Sequence, residues 1–362
     1  MSGSRVEAPA GMAVGMLSQV VGPSRIASSA DILAARKVSP EAKASAETLR
    51  GAHPYKWSML GSWLVAVSAS GFTGFLLWRF RVAIDARDLA LFSGMMAFLI
   101  IVHVVYGRWR TAPTLSHLGG AVAATCWSII AAAVISLVGL RYKFPLIDDV
   151  LGNADRAVGV DLPSMIRWFA DHPSLSHLLF VAYDSWLLQL AALLPFLAMM
   201  GRFDKLWQLV FVFSLTAVVA ATFSVFWPAR GAFAYFHHPI EVLEQLPDGA
   251  GIYHLAKFEY FRNAPFPNVS FENLQGVVTF PSFHTCLVLM TICATTGTRW
   301  LFAITLIWNA LVLIATVPIG GHYVIDLSCG ALLWLAAMAV EAMLGRSYAT
   351  MRGMPVPEAA SA

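Results

Sequence analysis

Eight nearly uncharged apolar stretches decide what this chain can fold into. They are Ser58–Trp78, Leu89–Tyr106, Gly120–Leu140, Leu178–Met200, Leu206–Phe226, Pro281–Gly297, Trp300–Pro318 and His322–Leu344. A helix needs about 20 mainly apolar residues to cross a hydrocarbon core of roughly 30 Å. Lipid offers the backbone no hydrogen-bond partner, so only helices and closed barrels span it. The alternating segments of about ten residues that mark a barrel are absent. Hydrophobic residues make up 58% of the chain and charged ones 12%. Soluble domains carry about twice that charge, so a water-soluble globule is excluded. The sequence predicts an all-α, polytopic membrane bundle of about eight transmembrane helices.

The net charge of +3 comes from the loops. No basic cluster is interleaved with aromatic residues, so no nucleic-acid partner is expected. Cys126, Cys286, Cys293 and Cys329 all fall within apolar stretches, which suits inert buried thiols and shows no metal-ligand spacing. With eight spans and a cytoplasmic start, 14 Lys/Arg lie on the cytoplasmic side and 10 on the other. The positive-inside rule then puts both termini in the cytoplasm. Segments 79–88, 141–177, 227–280 and 319–321 would face outward. Residues 1–57 read as a disordered cytoplasmic tail, 58–119 as two accessory helices, 120–345 as a six-helix core and 346–362 as a second cytoplasmic tail.

Two of the outer segments are long. In 141–177, Val158, Leu162, Met165, Ile166 and Phe169 recur at helical spacing, predicting an amphipathic helix in the interface. Segment 227–280 is rich in aromatic residues, Pro and Gly, as lids and binding loops often are. Its Trp227, Phe233, Tyr235 and Phe236 either border a lipid passage or form an interfacial aromatic belt.

Two histidines stand apart. His284 lies in "PSFHTCLVLM" and His322 in "GGHYVIDLSCG". Asp326 follows His322 by four residues, so a helix would put both on one face. An ionisable group inside a span is expensive and marks a functional site. A carboxylate that accepts the ring N–H of a histidine makes its other nitrogen more basic, which is how a nucleophile is activated. The sixth and eighth spans start on the same face, so the two histidines can meet in one cleft. A lone histidine at a helix end is more often an interfacial polar residue; the paired pattern is what gives the site its specificity.

At these residues the chain resembles the type-2 phosphatidic acid phosphatase superfamily. "PSFH" (281–284) is similar to its Pro-Ser-Gly-His signature, and "GGHYVID" (320–326) to the His-x-x-x-Asp end of its third signature. The resemblance implies a lipid phosphatase or phosphotransferase in which His322 forms a phosphohistidine, Asp326 orients it and His284 protonates the leaving oxygen. It also implies that Ser282, Gly321 and amides at the start of the sixth span hold phosphate oxygens, as helix N-termini do. No metal or cofactor is expected. The expected partners are a membrane lipid phosphate or phospholipid and, in one version, a lipid alcohol acceptor, at the outer face of the plasma (inner) membrane.

Three departures stand out. Phe283 replaces the glycine of the second signature, and Ala315 and Thr316 replace the Ser-Arg of the third. The first signature has no clean counterpart, which leaves Arg230, Lys257 and Arg262 as substitute phosphate donors. The altered pattern, with "NADRAVG" (153–159), is similar to the inositol phosphorylceramide synthase branch, whose members transfer a phosphorylated head group between alcohols. Water and an alcohol remain alternative acceptors. A soluble vanadium haloperoxidase, related in fold, fits the chain poorly. A transporter or channel using the same groups as a proton relay is the alternative from another class, although no inverted repeat is visible. A non-catalytic scaffold is disfavoured by the intact His284, His322 and Asp326.

Overall fold

Each of the eight apolar stretches folds as helix. The computed structural model describes residues 55–351 apart from Asn273 and Gln275. The tail expected over 1–57 therefore lies outside the described residues except for Tyr55–Trp57, which form the first turn of helix α1 (Tyr55–Phe80). Next come α2 (Ala86–Arg108), capped by the Asp85 carboxylate, and α3 (Pro113–Gly139), with proline in its first turn. Short helices α4 (Asp148–Ala157) and α5 (Leu162–Ala170) lead to α6 (Pro173–Asp184), α7 (Trp186–Met199) and α8 (Phe203–Phe226). Segment 227–280 carries α9 (Ala232–Phe236), α10 (Ile240–Glu244) and α11 (Leu255–Asn263), and the chain closes with α12 (Phe283–Thr295), α13 (Arg299–Ala315) and α14 (Val324–Met351).

Five of these helices, α1, α2, α3, α8 and α14, are each long and apolar enough to cross a membrane. The pair α6–α7, bent by 44°, is long and apolar enough for a sixth crossing if it forms one broken span. The bend has a local cause. Ser185 Oγ bonds back to the Ala182 carbonyl at 2.6 Å and receives Trp308 Nε1 at 2.9 Å, so neighbouring groups satisfy the interrupted ladder. Helix α12 has 13 residues, about 20 Å at 1.5 Å per residue. It is too short to cross alone, and the run 276–282 before it is not helical.

Helices α3 and α8 form the interior. In their most apolar windows 72% and 67% of residues are buried, against 6% in α2. Leu91, Phe98 and Ile101 of α2 are largely exposed. Apolar side chains on an outer surface suit contact with lipid chains and would be a liability in water. Within the bundle, several polar groups are paired across helices, as lipid favours. Glu341 accepts from Ser58 Oγ at 2.9 Å and Gln208 Nε2 at 3.2 Å, and Asn309 donates to Gln189 at 2.8 Å.

The four segments that the eight-span count puts on one face do meet. Strand β1 (Ala83–Ile84) pairs in parallel with β2 (Asn268–Val269). The Ile147 amide donates to Pro228 O at 3.0 Å, and those of Ala232 and Gly251 donate to Gly321 O and Ile319 O at 2.9 and 2.6 Å. Part of segment 141–177 is an amphipathic helix, α5, as the spacing of Leu162, Met165, Ile166 and Phe169 predicted, but Val158 is not in it. The segment breaks near Val158, which is 69% exposed, whereas Leu162, Ile166 and Phe169 are buried. Their partners are Phe233, Tyr183 and the 315–319 turn, so α5 packs on protein. Phe233 likewise belongs neither to a lipid passage nor to an aromatic belt. It is 3% exposed, and a side chain at Gly251 would strike its ring at 2.3 Å.

Candidate active site

Ser282 starts α12 as its N-cap: its Oγ accepts from the Thr285 amide at 3.4 Å. Pro281, with which the apolar stretch Pro281–Gly297 begins, therefore precedes the helix. His322 also lies outside its helix, because α14 begins at Val324. The expected i,i+4 helical face does not form, yet the contact does. The turn before α14 brings His322 Nδ1 to 3.4 Å from Asp326 Oδ2, and the Tyr323 amide donates to the same oxygen at 3.0 Å. His322 and Asp326 are 3% and 0% exposed.

A backbone bond joins the two helix starts: the Ser282 amide donates to the Asp326 carbonyl at 3.1 Å. Close approach there requires Gly330, where an added Cβ would lie 2.3 Å from Ser282 O. The imidazoles of His284 and His322 consequently sit 6.2 Å apart, edge to face. His284 is held from its other side by Tyr183, whose ring stacks on it at 4.1 Å and whose hydroxyl lies 3.1 Å from Nδ1. Tyr253 extends that chain, hydroxyl to hydroxyl, at 3.1 Å. His284 Nε2 is buried with no partner among the described residues.

Three further residues build the site. Asp155, within the 153–159 motif, accepts the Val324 and Ile325 amides at 2.8 Å each, capping α14 from a different helix. Asp148 accepts Tyr323 OH, the Arg230 amide and the Gly231 amide at 3.0, 3.0 and 2.9 Å. His254 donates to the Arg230 carbonyl at 2.7 Å. Burial, with His322 nearby, pulls the imidazole of His254 down to about 4. Gly231 and Gly321 hold positive φ of 98° and 74°, and each backs onto carbonyl oxygen, that of Gly321 and Gly251 respectively, within 2.8 Å of where a Cβ would stand. Only glycine fits both demands.

The expected phosphate donors are less convergent. The Arg230 guanidinium is paired with Glu259. Arg262 Nη2 donates to Phe144 O at 2.8 Å, and its guanidinium lies 6.0 Å from the Phe258 ring. Lys257 is half-buried on α11, and burial lowers its pKa. Ala315 and Thr316 are fully buried, and Thr316 Oγ1 bonds the Leu313 carbonyl of its own helix at 2.5 Å. Among the described residues no group of three or more His, Cys, Asp or Glu is placed to hold a metal ion.

A cavity of ≈440 Å³ opens beside His284, between α3, α6–α7, α8, α12 and segment 248–253. The break at Asp184–Ser185 borders it, and a membrane helix tolerates such a break where it lines a cavity. The model of the PAP2 superfamily matches residues 150–340, more than half of the chain. No curated protein and no solved structure matches it.

Proposed function

The chain belongs to the PAP2 superfamily, a family of phosphatase-type phosphoester chemistry, and from that premise we propose that it is a lipid phosphate phosphatase or phosphotransferase working through a phosphohistidine. The observation that carries this reading is the meeting of His284 and His322 in one buried cleft, with Asp326 behind His322. His322 Nε2 attacks phosphorus while Asp326 accepts the hydrogen bond from Nδ1–H, fixing the tautomer and stabilising the positive charge on the phosphorylated ring. The bond from phosphorus to the lipid oxygen breaks, its electron pair stays on that oxygen, and His284 Nε2–H supplies the proton. In the second half, water or a lipid alcohol gives a proton to His284 and attacks the phosphohistidine, releasing His322.

The amides of Phe283 and His284, in the first turn of α12, suit the phosphate oxygens. Ser282 acts through its cap, which aims those amides. Arg230, Lys257 and Arg262 contribute positive potential over the loop more than direct contacts, since all three already have partners. We assign the site to the outer face of the plasma membrane from the charge balance of the segments. The third motif's likeness to inositol phosphorylceramide synthases supports an alcohol acceptor alongside water.

The test is turnover of purified protein in detergent against a panel of lipid phosphates, with and without alcohol acceptors. Brief reaction with labelled substrate should trap an acid-labile, alkali-stable phosphohistidine that is missing in His322→Ala. That variant should lose at least about a thousandfold in rate. Label on His284 would reverse the two roles, and a variant that still turns over would end the covalent mechanism.

A further inference from the structure

Helix α13 carries a single carboxamide, Asn309, and that residue is 2% exposed. A buried amide is costly in lipid unless other helices take up its hydrogen bonds. Asn309 Nδ2 donates to Gln189 Oε1 of α7 at 2.8 Å and to Thr305 O at 2.9 Å. Gln189 Nε2 donates in turn to Ser185 Oγ at 3.0 Å, where Trp308 Nε1 also arrives at 2.9 Å. The Ser185 hydroxyl gives its own hydrogen to Ala182 O at 2.6 Å. A hydroxyl has two lone pairs and one hydrogen, so Ser185 is saturated. Four side chains, from the α6–α7 break, α7 and α13, thus converge on one turn of backbone.

That turn carries the surroundings of His284. Tyr183, two residues before Ser185, stacks on the His284 ring and reaches its Nδ1. Trp186, one residue after, meets the same ring edge-on at 6.5 Å. Tyr183 also touches the segment of the other histidine: a Cβ at Gly320 would stand 2.8 Å from its hydroxyl. A shift of the α6 end would therefore disturb both. Helix α13 supports both as well, because it ends at Ala315 and the His322 amide donates to Thr316 O at 3.2 Å. We propose that Ser185, Gln189, Trp308 and Asn309 are positioning residues for the general acid. They lock the α6–α7 break so that Tyr183 and Trp186 hold the His284 ring with Nε2 toward the leaving oxygen. This inference rests on the phosphoester reading above.

The test uses the full chain in detergent and two substrates. One is an alkyl phosphate, whose leaving oxygen needs a proton; the other is a nitrophenyl phosphate, whose oxygen leaves without one. Asn309→Leu keeps the side chain's approximate volume and removes its donors. Its kcat on the alkyl phosphate should fall about tenfold, and on the nitrophenyl phosphate by less than about threefold, with KM for each within about twofold. The double variant Asn309→Leu/Tyr183→Phe should be within about twofold of Tyr183→Phe alone on the alkyl phosphate, since both act on His284 through one contact. Trp308→Phe removes one donor and keeps a ring in place, so it carries the same comparisons if Asn309→Leu does not fold, with a loss of at least about threefold. Unchanged rates, equal losses on both substrates, or losses that multiply in the double variant would overturn the proposal and leave the phosphoester reading intact. Failure of the unaltered protein to turn over either substrate would overturn both.

Discussion

Among the described residues His284 is partnered on Nδ1 and unpartnered on Nε2, and that asymmetry decides what it can do. With the ring protonated, Nδ1–H donates to Tyr183, Tyr183 donates to Tyr253, and Nε2–H is left for the departing oxygen. Tyr183 is then a positioning residue. We expect Tyr183→Phe to slow cleavage of an alkyl phosphate by about tenfold to a hundredfold, part of the usual worth of a general acid. With a nitrophenyl phosphate, whose leaving group needs no proton, the loss should be under about threefold. Equal losses on both substrates would mean that Tyr183 only supports the fold. His254 gives a second expectation, of opposite kind. It stays neutral in the fold down to about pH 4, whereas the unfolded chain binds that proton near 6.5. Its contribution to stability is fully present above pH 6.5 and is lost as pH falls toward 4, by about 1.4 kcal/mol per pH unit. His254→Gln should flatten that part of the pH dependence of thermal unfolding; an unchanged slope would contradict the assignment. Neither tyrosine nor this third histidine was legible beforehand. Tyr183 sits in an apolar run like any core aromatic, and His254 in a loop with no motif around it.

At the scale of elements, the site is made where helix ends are pinned. The α14 N-terminus is held by Asp155 of α4, and the α12 N-terminus by its own Ser282 and by the Asp326 carbonyl. Asp155→Asn removes a charge and one of two acceptors from a buried helix end. It should lower unfolding free energy by about 2 kcal/mol and reduce turnover, since Asp326 lies in the same first turn. Thermal unfolding within about 0.5 kcal/mol of the unaltered protein, with normal turnover, would show that the cap is dispensable. The sequence marked the 153–159 stretch only by resemblance, because a cap supplied from another helix leaves no local signature. It placed helix existence well and helix starts less well. Pro281 and His322 each proved to lie before the first helical residue, where a capping serine and a turn take precedence over apolar periodicity.

At the scale of the whole molecule, the count of eight apolar spans and the tertiary contacts agree about which loops share a face. Single cysteines placed at Arg81, in the 79–88 segment, and at Phe266, which is 91% exposed in the long loop, should react with an impermeant thiol reagent from one side of the membrane. Labelling from opposite sides would break the β1–β2 pairing. The apolar stretches by themselves determined that the chain is a helical membrane protein, because a backbone in lipid must satisfy its own hydrogen bonds and can do so over such lengths only as helix. They also determined which two histidines and which aspartate to watch, since ionisable groups in such stretches are costly. Tertiary structure alone decided that His284 and His322 meet, that Tyr183 holds one of them, and that side chains of α7 and α13 converge on the helix break beside them. Those outcomes depend on where separate helices cross and end, at Gly330, Ser185 and Asp155, and hydropathy along a single chain carries no information about distances between its parts.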